Sequence, residues 1–346
     1  MNHSASSSSS NAAAAPSDTD ESNPLHPHRI RSEPMTDTTN PIIKVIDLVP
    51  GERRELPSIA AQDLTREVFW NDYVCRHRPL IIKEGAAHWP AVGKWQDPGY
   101  LESLPSDAKA WLSRTFNPLQ IMVIKKVVQI KKVQDCVREM REAPADQTYS
   151  MTGIPVPKEW QQDLGEHAFI SPDRFEKAPR TYNRQRMFIY RNAASDWHYH
   201  ETDETLTTQL SGSKRFSMFR LTPENWEDCN SILEANLHHL SCAKQLFPPR
   251  LSLVKYEATL NPGDVAYIPP FWWHGVDPED SVVGVTLANC FRTPWERFGD
   301  WRDPITRGMT SNKPKPGYRA SPIQKSVIAF TSLMRRLKGT PWYEEV

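Results

Sequence analysis

A chain of 346 residues, 38% apolar and 10% aromatic, can bury a sizeable core, which excludes wholesale disorder and suits one large domain better than two small ones. Its 42 basic residues balance 42 acidic ones, so no global field draws it to nucleic acid or to an acidic membrane surface, and neither is expected as a partner.

The five cysteines, Cys75, Cys136, Cys229, Cys242 and Cys290, are an odd number without a Cys-x-x-Cys pair and read as reduced thiols. No apolar run approaches the ~20 residues of a membrane span, and the first residues lack the basic-then-apolar order of a secretory signal. A soluble, cytoplasmic protein is therefore expected.

Residues 1–40 hold a serine tract, an alanine tract and a mixed polar stretch that cannot offset the cost of ordering, and are expected to form a disordered tail. The β-branched residues of 42–48 predict a first strand. The spacing of Leu64, Val68, Phe69 and Val74 predicts a helix over 64–75, which Arg78-Pro79 ends before a strand at 80–82. Trp89 and Trp95 read as core packing. Strands are expected between Trp111 and Ile130, then a helix over 133–142. Lys125, Lys126, Lys131 and Lys132 read as a solvated edge rather than a polyanion site. The irregular stretch 155–182 reads as a lid or connection beside a substrate cleft.

A strand at 187–190 leads to the most informative stretch, WHYHETDETLTTQLSGSKRF, from Trp197 to Phe216. Read as a strand, it puts His198 and His200 on one face and Trp197 and Tyr199 on the other. Two imidazoles on one face can reach one ion. Further strands are predicted at 216–220, 254–260, 265–268 and 282–288, with a helix near 223–226 and a loop at Pro248-Pro249. Pro262-Gly-Asp264 marks a turn before the strand at 265–268, and His274 is expected at that strand's end, close to the first pair. Imidazole ligation suits iron, copper, zinc or nickel rather than magnesium or calcium. His26, His28, His238 and His239 lack such a context and read as ordinary histidines. Finally, Ile323, Val327, Ile328, Phe330, Leu333, Met334 and Leu337 have helical spacing, so the chain is expected to close over 321–346 with a helix that packs on the domain or pairs with a second subunit.

Several of these stretches resemble the metal-bearing motifs of the JmjC and cupin-like iron(II)/2-oxoglutarate dioxygenases. The resemblance rests on Gln209-Leu-Ser-Gly-Ser-Lys-Arg-Phe216, on Pro262-Gly-Asp-Val-Ala-Tyr-Ile-Pro269 with Trp272-Trp-His274, and on Arg78-Pro-Leu-Ile-Ile-Lys83 followed by His88-Trp-Pro90 and Trp95. It implies a mainly β fold, a double-stranded β-helix of jelly-roll type over 41–320, with helices from both chain ends outside it. It further implies two cofactors, Fe(2+) and 2-oxoglutarate, and hydroxylation of a C–H bond in a protein side chain, a peptide or a small metabolite.

By the same resemblance, His198 and His274 are metal ligands and Lys214 receives the distal carboxylate of 2-oxoglutarate. Ser195, Thr205, Thr207, Asn289 and, more weakly, Tyr190 surround the co-substrate. The chain departs from the family's His-x-Asp or His-x-Glu pattern, because His200 stands where the carboxylate belongs. The third ligand is read as His200, with Glu204, Glu201 or Asp203 as carboxylate alternatives. Gly212 serves the turn after the metal strand, and Trp272 and Trp273 read as packing. Two rival readings are a metal cupin that uses His198, His200, Glu204 and His274 without 2-oxoglutarate, and a binding protein that has kept the barrel without catalysis.

Overall fold

The structure, a computed structural model, describes residues 44–114, 128–175, 182–200, 203–222, 253–294, 300–303 and 320–340, with a few isolated positions between them. The expected tail, the helix near 223–226, the loop at 248–249, Lys125, Lys126, Cys229 and Cys242 lie outside the described residues.

In chain order the first strands are β1 (Glu52–Glu55), β2 (Ser58–Ala60), β3 (Leu80–Lys83), β4 (Lys109–Ser113), β5 (Val128–Lys132), β6 (Tyr149–Ile154) and β7 (Gln185–Arg191). The motif-bearing strands follow: β8 (Ser195–His198), β9 (Asp203–Ser211), β10 (Lys214–Phe219), β11 (Val254–Leu260), β12 (Val265–Ile268), β13 (Trp273–Pro278) and β14 (Gly284–Arg292). The helices are α1 (Arg66–Val68), continued by a π-helical turn at Phe69–Val74, then α2 (Pro90–Lys94), α3 (Pro98–Ser103), α4 (Val133–Glu142) and α5 (Pro322–Leu337).

The strands form two sheets, one in the order β1-β11-β10-β13-β8 and a larger one in the order β2-β3-β12-β9-β14-β7-β6-β4-β5. Most neighbours are antiparallel, β1 with β11 and β2 with β3 being parallel. This is the mainly β jelly-roll sandwich, with helices added.

Strand alternation sorts the apolar residues into three cores. On β12, Val265 and Tyr267 join a large core with Leu206, Leu210, Leu287 and the N-terminal helices, whereas Ala266 and Ile268 join Phe216, Met218 and Trp272. A third core gathers Trp197, Phe219 and Trp273 with Val45 and Ile46. Trp89, Trp95, Trp272 and Trp273 are all buried packing residues.

Two local expectations change. Among the described residues of the predicted first strand, 46–48 form a 3-10 turn: Asp277 accepts hydrogen bonds from the N–H groups of Val45 (2.6 Å) and Ile46 (3.2 Å), which holds them off a ladder. Of the stretch 155–182, expected as a lid or a connection beside a cleft, Tyr182 lines the cavity of the site and the other described residues form no lid over it. Trp160, Phe169 and Ile170 are buried in the large core, and Asp163 accepts from Lys94, Trp95 and Tyr100, so the segment braces the helices instead. Lys131 pairs with Glu139 and Lys132 with Asp107, as befits a solvated edge.

Candidate metal centre

The site begins as a cross-strand pair. Strands β8 and β13 run antiparallel with His198 opposite His274, and the two rings lie 4.1 Å apart between centroids. His274 therefore belongs to a strand of its own, not to the end of β12, because the turn before Trp273 starts a new element. On the opposite face Trp197 is buried and its Nε1–H donates to the Val45 carbonyl at 2.8 Å, which pins β8 against the third core.

His200 is not a strand residue. Strand β8 stops at His198 and β9 starts at Asp203. The His200 carbonyl accepts from the Phe271 N–H at 2.7 Å, tying this connection to the turn that precedes His274. Its ring reaches the same centre, 5.4 Å from His198 and 4.9 Å from His274. One ring nitrogen from each of the three histidines lies within 4.8 Å of the others, and no other such group of His, Cys, Asp or Glu occurs among the described residues.

The break resets strand parity. Thr205 and Thr207 of β9 face the histidines, so Glu204 faces the other way, where the Tyr267 hydroxyl donates to its carboxylate at 2.6 Å. Asp203 accepts from the Tyr182 N–H at 3.2 Å. Neither joins the cluster. Glu201 lies outside the described residues.

Each histidine has its Nδ1 engaged. That of His198 contacts the Asp196 carbonyl (2.8 Å), that of His274 the Trp272 carbonyl (3.1 Å) and that of His200 the Thr205 hydroxyl (2.9 Å). A carbonyl only accepts, so Nδ1 of His198 and His274 carries the proton and Nε2 presents its lone pair. Burial, and then the neighbouring imidazoles, hold His200 and His274 well below the ordinary histidine range, so both are neutral and fit for ligation. The donor set therefore fits a nitrogen-preferring transition metal, with coordination positions left open.

A cavity of about 300 Å³ opens over the cluster. It brings together Ser195, Thr205, Thr207, Lys214 and Tyr190 from both sheets. Asn289 does not line it: on β14 the inward positions are Thr286 and Ala288, and Asn289 shares the parity of Leu287 and Phe291 in the large core. Gly212 makes the β9–β10 turn with a φ of +70°. Gly284 leaves room for Tyr190, since a Cβ there would stand 2.3 Å from its ring.

Lys214 is 6% exposed, with its Nζ 5.1 Å from the centre of the Tyr190 ring. Among the described residues it has no carboxylate or hydrogen-bond acceptor, and burial pushes its ammonium down to about 7. A buried ammonium whose partner is an aromatic face alone is costly unless a ligand supplies the countercharge. Sequence reasoning missed Arg186 and Phe188, although both alternate with Tyr190 on β7 and line the same cavity.

Residues 65–291 match the family model of the cupin-like domain, and the chain belongs to that family. Its relatives include a Jumonji C domain-containing protein. The chain is 25% identical over 223 residues to lysine-specific demethylase JMJ30 of Arabidopsis thaliana, covering 62% of this chain and 50% of the relative. With Jumonji C domain-containing protein 5 of Drosophila melanogaster it shares 26% over 247 residues, 67% of this chain and 59% of that one. With the human bifunctional peptidase and (3S)-lysyl hydroxylase JMJD7 the identity is 22% over 290 residues, 70% and 90% of the two chains. The chain thus spans only half to three fifths of the first two relatives. No helix among the described residues is long and apolar enough to cross a membrane.

Proposed function

We propose that the protein is an iron(II)- and 2-oxoglutarate-dependent oxygenase that hydroxylates a C–H bond of a protein side chain, a peptide or a small metabolite. The observation that carries this reading is Lys214, a buried cation opening into the cavity of the three histidines. The rival metal cupin has no need of that lysine and would need Glu204, which Tyr267 holds on the other face. When bound, iron(II) and 2-oxoglutarate would reduce dioxygen, with 2-oxoglutarate leaving as succinate and carbon dioxide, and so supply the oxidant that breaks a substrate C–H bond. The protein's part is to bind and orient. His198, His200 and His274 offer Nε2 atoms, Lys214 takes the distal carboxylate, and Phe216, Ile268 and Val276 keep part of the wall dry. Anaerobic titration with iron(II) and 2-oxoglutarate should raise their weak visible charge-transfer band at one equivalent each. Its absence would remove the reading.

His200 takes the third position in this proposal, with Thr205 as the partner that aims it. Thr205→Val leaves the imidazole without its polar partner and should weaken iron(II) about 10–100-fold. His200→Asp should retain iron as a facial triad, while His200→Ala should lose affinity. Normal iron binding by His200→Ala would give the third position to another residue.

The C-terminal helix supports a second part of the proposal, a homodimer. Helix α5 buries Ile328 and Ser332 but leaves Ile323 (78%), Phe330 (64%) and Leu337 (73%) exposed along one stripe at seven-residue spacing. The stripe is wider than the contact the helix makes with its own chain. Sedimentation should show a dimer for the full chain and a monomer for a chain ending before Pro322. Monomers in both cases would exclude the pairing.

A further inference from the structure

The cavity holds more positive charge than the co-substrate needs. Its charged lining residues among those described are Lys214, Arg186 and one carboxylate, Asp196, and His200 stands where the family places a carboxylate. Arg186 projects from β7 beside Phe188, its guanidinium 4.1 Å over the Tyr182 ring. Its Nη2 donates to the Cys290 thiol at 3.5 Å, a weak acceptor, and its Nε is buried without a partner among the described residues. A planar fork of donors in that position is built for a carboxylate.

We propose that Arg186 is a specificity-determining residue that anchors a carboxylate of the prime substrate, with Tyr182 and Phe188 as aromatic walls for an adjoining apolar or aryl group. The assignment rests on the oxygenase reading, in which Lys214 is already occupied by 2-oxoglutarate. With iron(II), Lys214, Arg186 and Asp196 set against the two charges of 2-oxoglutarate, the loaded site keeps about one positive charge, centred on Arg186, and so disfavours a substrate ammonium beside it. An acidic group has the opposite sign and finds donors waiting.

The matched probes are benzoate and benzamide, alike in shape but differing in charge. They are titrated anaerobically into the full chain loaded with iron(II) and 2-oxoglutarate, and separately into the metal-free chain. Benzoate should bind the loaded protein about tenfold or more tighter than benzamide, since a half-buried guanidinium whose Nε is shielded from water and unpaired discriminates against a ligand that cannot pair with it. Arg186→Gln should erase the preference while leaving the iron(II) and 2-oxoglutarate affinities as in the parent, and Arg186→Lys should retain part of it. Three results would overturn the proposal: equal binding of the two probes, an unchanged benzoate preference in Arg186→Gln, or displacement of 2-oxoglutarate by benzoate. A chain that binds neither iron(II) nor 2-oxoglutarate but still prefers benzoate through Arg186 would sink the oxygenase reading and keep the anion site.

Discussion

Alanine at His198 or at His274 is expected to abolish stoichiometric iron(II) binding. The two residues face each other across β8 and β13, and each has its Nδ1 on a backbone carbonyl of its own strand region, so ring and tautomer are set before any metal arrives. Removing either leaves two nitrogen donors of the three that gather within 4.8 Å. The loss should exceed the roughly 10–100-fold cost of removing a partner that merely orients a ligand. Metal content after anaerobic dialysis against iron(II) is the readout, with circular dichroism to confirm folding. The cores centred on Tyr267 and Trp272 are built from apolar side chains and meet these histidines only where Phe216 stacks on His274 (5.8 Å), so the variants should fold. If either binds iron like the parent, the metal centre lies elsewhere.

Most of the strand framework was legible because its residues obey one rule at a time. Strands β11 and β12 appear at the residues their β-branched and apolar runs predict, and α4 spans the predicted 133–142, with Val133, Cys136, Val137 and Met140 buried on its inner face. The failures occur where a long-range contact overrides a local pattern. Residues 46–48 have the composition of a strand, yet a carboxylate more than two hundred positions later, Asp277, caps them into a turn. The stretch around Trp160 looks like a loop by its proline and charge, but its aromatic residues enter the core.

The same distinction runs through the site. That His198, His200 and His274 could meet was readable from motif spacing. Which neighbours would face them was not, because the count of alternating positions does not survive the break between β8 and β9. Counting straight through from His198 brings Glu204 inward. In the structure, odd-numbered Thr205 and Thr207 line the cavity and Glu204 turns to Tyr267. Asn289 fails for a related reason, since its place was taken from distance along the chain rather than from the face of β14. Arg186 was accessible to the correct count on β7, once Tyr190 had been chosen as an inward residue.

Lys214→Ala is expected to weaken 2-oxoglutarate by one to two orders of magnitude while leaving iron(II) binding unchanged. The change removes one charge-assisted hydrogen bond, worth about 1.5–3 kcal/mol, and none of the metal donors. The pH dependence makes the test specific. Burial holds the Lys214 ammonium at about 7, far below its ordinary value of 10.5, so near neutrality it exchanges its proton readily. Only the charged form pairs with a carboxylate, so 2-oxoglutarate affinity should be level below pH ~7 and fall by up to about tenfold per unit above it. Binding near neutrality should take up a fraction of a proton, measurable by calorimetry in buffers of differing ionisation enthalpy. The stability effect has the opposite sign. Between about 7 and 10.5 the unfolded chain holds a proton that the native lysine has released, so this residue's burial cost is full at low pH and is relieved as pH rises. Lys214→Ala should flatten both trends. A parent whose 2-oxoglutarate affinity ignores pH over this range, or a variant that binds 2-oxoglutarate as tightly as the parent, would place the distal carboxylate on another residue.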